Sequence, residues 1–214
     1  MRRDTHAVIF DLDGTLVDSL PDIVAHLNAS LCDHGLAPRG RDEIAEWVGY
    51  GVEQLVRRAV PRTDLVAPVL ATLRARYQAR PVIESQLYAG LDRVLDALAP
   101  RFRLAVLSNK PHDLTVDVCK TLLARWPFAA IVGAHPERPR KPDGQALRAV
   151  ATDLAVEAGA CVMVGDSEVD IATARAAGAQ SIAVSWGMRP VGVLADARPD
   201  HLVHTPDELL AALA

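Results

Sequence analysis

Val8-Ile9-Phe10-Asp11-Leu12-Asp13-Gly14-Thr15-Leu16-Val17-Asp18-Ser19 is the stretch on which the fold of this chain turns. The run Ala7 to Phe10 has the β-branched and aromatic content of a strand buried on both faces. Two aspartates one residue apart end it, and Gly14-Thr15 supplies the turn. Paired carboxylates at a strand end repel each other unless a cation or a shared proton relieves the charge, so the pair points to chemistry rather than packing.

Downstream, short apolar runs recur at Leu104–Leu107, Ala129–Val132, Cys161–Val164, Ile182–Val184 and, weakly, His201–His204. Helical periodicity lies between most of them, over Leu114–Leu123, Ala146–Leu154 and Ile171–Ala177, and follows the last at Leu209–Leu213. The alternation predicts an α/β fold: a Rossmann-like parallel sheet with helices on both faces, whose ligands gather at the carboxyl ends of the strands. From Ser19 to about Tyr88 the alternation stops. Apolar residues recur helically through Ile23, Leu27 and Leu31, then Ile44, Trp47 and Val48, then Leu55, Val56 and Val60, then Leu65, Val69, Leu70 and Leu73. No strand is expected there, so 19–88 reads as an inserted α-helical domain of about 70 residues, and 1–18 with 89–214 as the core. Ser19 and Asp22 have capping-box spacing, with Pro21 in the first turn.

The expected strand ends carry a consistent set of polar residues. Ser108-Asn109-Lys110-Pro111 follows the second run and suits a phosphate, although Ser and Asn also cap helices. A proline-rich loop, Pro136 to Asp143, holds Lys141, one of only three lysines (Lys110, Lys120, Lys141) in a chain that otherwise uses arginine. Lysine is a mobile point charge where arginine is a planar fork, so its choice at two strand-to-helix transitions suits a compact anion. Val164-Gly165-Asp166-Ser167-Glu168-Val169-Asp170 ends the fourth run and sets Asp166 and Asp170 four apart, on one face of a helix start. Carboxylates converging from Asp11, Asp13, Asp166 and Asp170, without clustered Cys or His, specify a hard cation such as Mg²⁺.

In order, Asp11-Leu12-Asp13-Gly14-Thr15, Ser108, Lys141 and Gly165-Asp166-Ser167-Glu168-Val169-Asp170 resemble the four motifs of the haloacid dehalogenase superfamily. The phosphatases of its phosphoglycolate phosphatase-like branch, with a helical cap inserted after the first strand, are the nearest pattern, and Ser108-Asn109-Lys110-Pro111 and Ser185-Trp186-Gly187 look like their versions. The resemblance implies Asp11 as nucleophile, Asp13 as acid and base, and Lys141 as charge partner. It implies Gly14, Thr15, Ser108, Asn109 and Lys110 as phosphate-binding residues. Mg²⁺ would be held by Asp11, the Asp13 carbonyl and Asp166, with Asp170 as a further ligand or a ligand's partner. Asp13, and the lack of lysine between Ser19 and Tyr88, argue against dehalogenase and phosphonatase chemistry. The leading expectation is hydrolysis of a small phosphorylated metabolite, 2-phosphoglycolate. A β-phosphoglucomutase-like mutase, a pyrophosphatase of the same superfamily and a non-catalytic phosphate-binding regulator are the alternatives. A closed cap over so small a substrate would need donors for its carboxylate, from Gly49-Tyr50-Gly51 or from one of Arg57 and Arg58.

The remaining features are bland. A net charge of −4 gives no basic footprint for nucleic acid, and no apolar run is long enough to span a membrane. Arg2 and Arg3 precede an apolar stretch that stops at Phe10, so neither a signal peptide nor a twin-arginine signal is expected. Cys32, Cys119 and Cys161 lack metal-ligand spacing and read as buried free thiols of a cytoplasmic monomer or homodimer. His112 lies near the expected site, and Trp47, Trp126 and Trp186 read as packing residues.

Overall fold

The computed structural model describes residues 5–214; Arg2 and Arg3 lie outside the described residues. In chain order the elements are β1 (Ala7–Phe10), β2 (Val17–Asp18), α1 (Leu20–Asp33), α2 (Arg41–Trp47), α3 (Val52–Ala59), α4 (Thr63–Ala79), β3 (Gln86–Leu87), α5 (Leu91–Leu98) and β4 (Arg103–Pro111). There follow α6 (His112–Leu122), β5 (Phe128–Ala134), α7 (Gly144–Asp153), β6 (Cys161–Gly165), α8 (Glu168–Ala177), β7 (Gln180–Val184), α9 (Val191–Asp196), β8 (His201–Val203) and α10 (Pro206–Ala212).

Six strands form one sheet in the order β5-β4-β1-β6-β7-β8, and all five neighbouring pairs are parallel. Side chains alternate across β1: Val8 and Phe10 join the core under α5, α6 and α10, while Ala7 and Ile9 join the one under α7 and α8. Burying Ile9 or Phe10 completely contributes roughly 1.5–3 kcal/mol each. From β1 the chain builds outward through β4 and β5, then crosses back to β6, β7 and β8 on the other side. The strand order therefore reverses beside β1, and the carboxyl ends of β1, β4 and β6 open onto one crevice.

Helices α1–α4 have a hydrophobic cluster of their own, centred on Leu27, Leu31, Ile44, Val56, Val69 and Leu73. Leu114 of α6 enters that cluster and Met188 packs against it. β2 and β3 pair antiparallel where the chain leaves for these helices and returns from them. The helical stretch 19–88 is thus not wholly free of strand.

Three local expectations are corrected. Ser108 to Pro111 belongs to β4, which runs on past its apolar part, and α6 starts only at His112. Ser19 makes no side-chain cap for α1, and its Oγ is buried without a partner. Asp22 turns instead to the returning chain and accepts from the N–H groups of Ile83, Glu84 and Ser85 and from the Ser85 hydroxyl. Four donors outweigh what one Ser19 contact could offer. Cys32 is exposed, whereas Cys119 and Cys161 are buried; all three are free thiols. Among the described residues no helix is long and apolar enough to cross a membrane.

Candidate active site

Asp11 is the first residue beyond β1, and its backbone N–H donates to Val164 of β6 at 2.9 Å, which carries the parallel pairing one residue past the strand. Gly14 then takes φ +87, a left-handed conformation that a side chain strains. A Cβ there would also collide with the Asp166 carboxylate, so this glycine is what lets the turn pass beside the fourth motif. Thr15 Oγ1 donates to Asp166 Oδ1 at 3.2 Å, and Trp186 Nε1 donates to the Thr15 carbonyl at 3.1 Å. Thr15 is spent on holding Asp166, and Trp186 does more than pack.

Asp11, Asp166 and Asp170 converge, with one carboxylate oxygen from each within 4.8 Å of the others, and all three are buried. Lys141 Nζ sits 2.9 Å from Asp11 Oδ1 and 2.6 Å from Asp170 Oδ1. The other Asp170 oxygen accepts from Ser167 Oγ at 2.6 Å and from the Ser167 N–H at 3.2 Å, closing a capping box at the start of α8. Burial pushes the Asp11 carboxyl up to about 7; Lys141 opposes the rise, and Asp170 and Asp166 add to it. Asp166 is raised to about 6, by burial first and by Asp170 second, against the Met188 N–H that donates to it. Burial alone would lower the Lys141 ammonium, but the Asp11 and Asp170 carboxylates hold it above its usual value. Three buried carboxylates against one ammonium leave an excess of negative charge in low dielectric. The donor set is all oxygen, so a hard divalent cation fits the deficit.

Asp13 does not share in this cluster of carboxylates. Its side chain receives Lys110 Nζ at 3.1 and 3.2 Å, and the same ammonium lies 4.9 Å from the centre of the Tyr77 ring. Ser108 Oγ accepts from the Lys110 N–H at 3.2 Å. Asn109 Nδ2 donates to the carbonyls of Gly49 at 2.8 Å and Lys141 at 2.9 Å, while its buried Oδ1 has no partner. With both amide hydrogens committed, Asn109 ties β4 to the Lys141 loop and to the turn after α2.

Above these groups lies a cavity of about 60 Å³. Asp11, Asp13 and Ser108 to Pro111 line it from the sheet side, and Ile23, Val48, Gly49, Gly51, Val52, Leu55 and Tyr77 from the helical side. Arg57 and Arg58 do not reach it. Arg57 is exposed and paired with Glu53 at 2.7 Å, and Arg58 is exposed with its guanidinium 4.9 Å from the Tyr50 ring. Helix α3 turns Leu55 and Val56 inward, which points the two following residues at solvent. Tyr50 donates to Glu168, and His112 Nδ1 accepts from the Gly133 N–H at 3.2 Å, away from the cavity. Glu168, Met188 and Arg189 were not singled out from the sequence. The strand-end rule would have reached the last two, which follow β7 in the Ser185-Trp186-Gly187 loop.

Residues 8–184 match the model of the haloacid dehalogenase-like hydrolases. A phosphoglycolate phosphatase of Rhodospirillum rubrum is 39% identical over 192 residues, covering 85% of this chain and 80% of that one. One of Colwellia psychrerythraea is 33% identical over 221 residues, covering 99% and 98%. A crystal structure from Haemophilus somnus, described as a predicted phosphoglycolate phosphatase, superposes with a TM-score of 0.92 at 25% identity over 100% of both chains. With the family model spanning most of its length, this chain belongs to the haloacid dehalogenase-like hydrolases and is a phosphatase.

Proposed function

We propose that this phosphatase hydrolyses 2-phosphoglycolate, with Mg²⁺, through an aspartyl-phosphate on Asp11. The observation that carries the substrate reading is the cavity: its helical wall is apolar apart from Tyr77 and two glycines, and its lining holds one ammonium, that of Lys110. A hexose phosphate would need polar partners for its hydroxyls, and this wall has few. A two-carbon acid needs one cation for its carboxylate. The names of the Rhodospirillum and Colwellia relatives agree with that choice.

The Asp11 carboxylate attacks phosphorus as the ester P–O bond breaks, and Asp13 delivers a proton to the departing glycolate oxygen. Water then attacks the aspartyl-phosphate, giving its proton to Asp13 while phosphate leaves and Asp11 is restored. Lys141 neutralises charge on Asp11 and the phosphoryl oxygens, and Asp170 aims the ammonium. The Ser108 hydroxyl, which accepts from the Lys110 N–H and keeps its own hydrogen to donate, holds a phosphoryl oxygen. Lys110 passes from Asp13 to the substrate carboxylate. Asp11 and Asp166, with the Asp13 carbonyl, would hold Mg²⁺, which when bound offsets the repulsion between nucleophile and phosphate. Helices α1–α4, within 19–88, serve as the cap over the core formed by 1–18 and 89–214.

The test is phosphate release by purified protein from a panel of phosphorylated metabolites, with Mg²⁺ and with EDTA. The highest kcat/KM is expected for 2-phosphoglycolate, with turnover lost in EDTA and in Asp11→Asn. A preference for a hexose phosphate or pyrophosphate would overturn the substrate, and full activity of Asp11→Asn the mechanism.

A further inference from the structure

Arg189 is a buried arginine outside all four motifs, 7% exposed in the loop between β7 and α9. Each of its three guanidinium nitrogens is engaged. Nη1 donates to the Ala45 carbonyl at 2.8 Å and Nη2 to the Val48 carbonyl, both at the C-terminal end of α2. Nε donates to Glu168 Oε2 at 3.1 Å. Carbonyls of a last helical turn lack partners within the helix and favour a cation, so the contact is well matched chemically. Glu168 has a second tie to the same region, because Tyr50 donates its hydroxyl to Oε1. The residue before Arg189 completes the connection. The Met188 N–H donates to Asp166 Oδ2 at 2.8 Å, and its side chain packs against the α1–α4 cluster.

One dipeptide therefore grips the helical region with a side chain and the acidic cluster with a backbone N–H. We propose that Arg189 is a positioning residue that couples closure of α1–α4 to the placement of Asp166. When α2 withdraws, Arg189 loses two of its three acceptors and Met188 its packing, so the N–H that orients Asp166 is no longer held in place. When α2 closes, Asp166 is fixed for a cation. Lysine cannot substitute, since one ammonium cannot span two carbonyls and a carboxylate with the geometry of a planar fork. The inference rests on reading Asp166 as a metal ligand.

The test compares wild type with Arg189→Met, Arg189→Lys and Tyr50→Phe by two readouts that need no turnover. Amide exchange over residues 44–51 of the metal-free protein reports closure, and Mn²⁺ binding followed by its EPR signal reports the cluster. Arg189→Met is expected to speed exchange there by at least about tenfold, from loss of two charge-assisted bonds. It is also expected to weaken Mn²⁺ by about tenfold or more, the lower edge for outer partners of metal ligands. Tyr50→Phe should move both readouts the same way by less. Should Arg189→Met fail to fold, Arg189→Lys decides by the same two measurements. Faster exchange with unchanged Mn²⁺ affinity would overturn the coupling, as would no change in either, or a wild type that binds no Mn²⁺. Coupling seen in a protein that hydrolyses no phosphomonoester would leave this inference standing and remove the proposed function.

Discussion

Lys110 of β4 and Asp13 of the loop after β1, 97 residues apart in sequence, form an ion pair of 3.1 Å beneath the Tyr77 ring, with side chains 7% and 11% exposed. The pair puts the cation that lines the cavity on the core, whereas the sequence offered the Gly49-Tyr50-Gly51 backbone or one of Arg57 and Arg58 for a substrate carboxylate. On the proposed reading, the substrate carboxylate takes Asp13's place on Lys110.

Lys110→Met should therefore act on selectivity. A charge-assisted bond to a carboxylate is worth about 1.5–3 kcal/mol, so kcat/KM for 2-phosphoglycolate should fall by roughly one to two orders of magnitude. An aryl phosphate, which has no carboxylate, should lose much less. Parallel kinetics on the two substrates check this, and an equal loss on both would assign Lys110 to the phosphoryl group.

Lys141→Ala should lower kcat by at least about 100-fold, the range for a lost electrostatic stabiliser. Lys141→Arg should rescue only partly, because a planar fork cannot occupy the single point between Asp11 and Asp170. Lys120, exposed on α6, is the control. Steady-state kinetics on the three variants decide, and near-normal turnover of Lys141→Ala would leave Lys141 without a catalytic role.

Gly14→Ala should abolish most activity while the sheet survives. The new methyl would collide with the Asp166 carboxylate and sit at a φ of +87, where an L side chain costs roughly 1–2 kcal/mol. Circular dichroism close to wild type with turnover reduced by at least about 100-fold is the expected pair of results.

Asp22→Ala should destabilise by about 2 kcal/mol, since the N–H groups of Ile83, Glu84 and Ser85 lose their acceptor. Burial pushes the Asp22 carboxyl up, but the bonds from Ser85, Ile83 and Glu84 prevail and hold it below its usual value. A lowered folded-state pKa contributes stability that is complete above the unfolded value of about 3.9 and is lost as pH falls through the folded value. Denaturant titrations should show a constant gap between wild type and Asp22→Ala from pH 7 to about 5, closing only below about 4. A gap that widened in acid would contradict the assignment.

Much of the architecture was legible because its signals are local. Val8-Ile9-Phe10 alternates its side chains between two cores, and Ile171–Ala177 and Ala146–Leu154 carry helical spacing that packing against the sheet reinforces. Boundaries were less legible where polar residues continue a strand: Ser108 to Pro111 stays in β4 although the pairing with β5 is interrupted after Leu107 and resumes only at Pro111, opposite Ala134. Ser19 and Asp22 have capping spacing, yet the Asp22 carboxylate is taken up by the N–H groups of residues 83–85 and the Ser85 hydroxyl, and the Ser19 Oγ is left without a partner.

By itself the sequence determined which polar residues stand at the strand ends and in what order: carboxylates at the ends of β1 and β6, a lone lysine in a proline-rich loop, and a helical run after the first strand. Those are properties of residue type and spacing, and spacing is set by the covalent chain. The partners were decided by the tertiary structure alone. Asn109 reaching Gly49 and Lys141, Lys110 reaching Asp13, and Arg189 reaching Ala45 and Val48 all span sequence separations that only sheet order and the seating of α2 bring within hydrogen-bond distance. A buried donor takes whichever acceptor the packed elements put within reach, and that choice is made when the sheet and helices close around it.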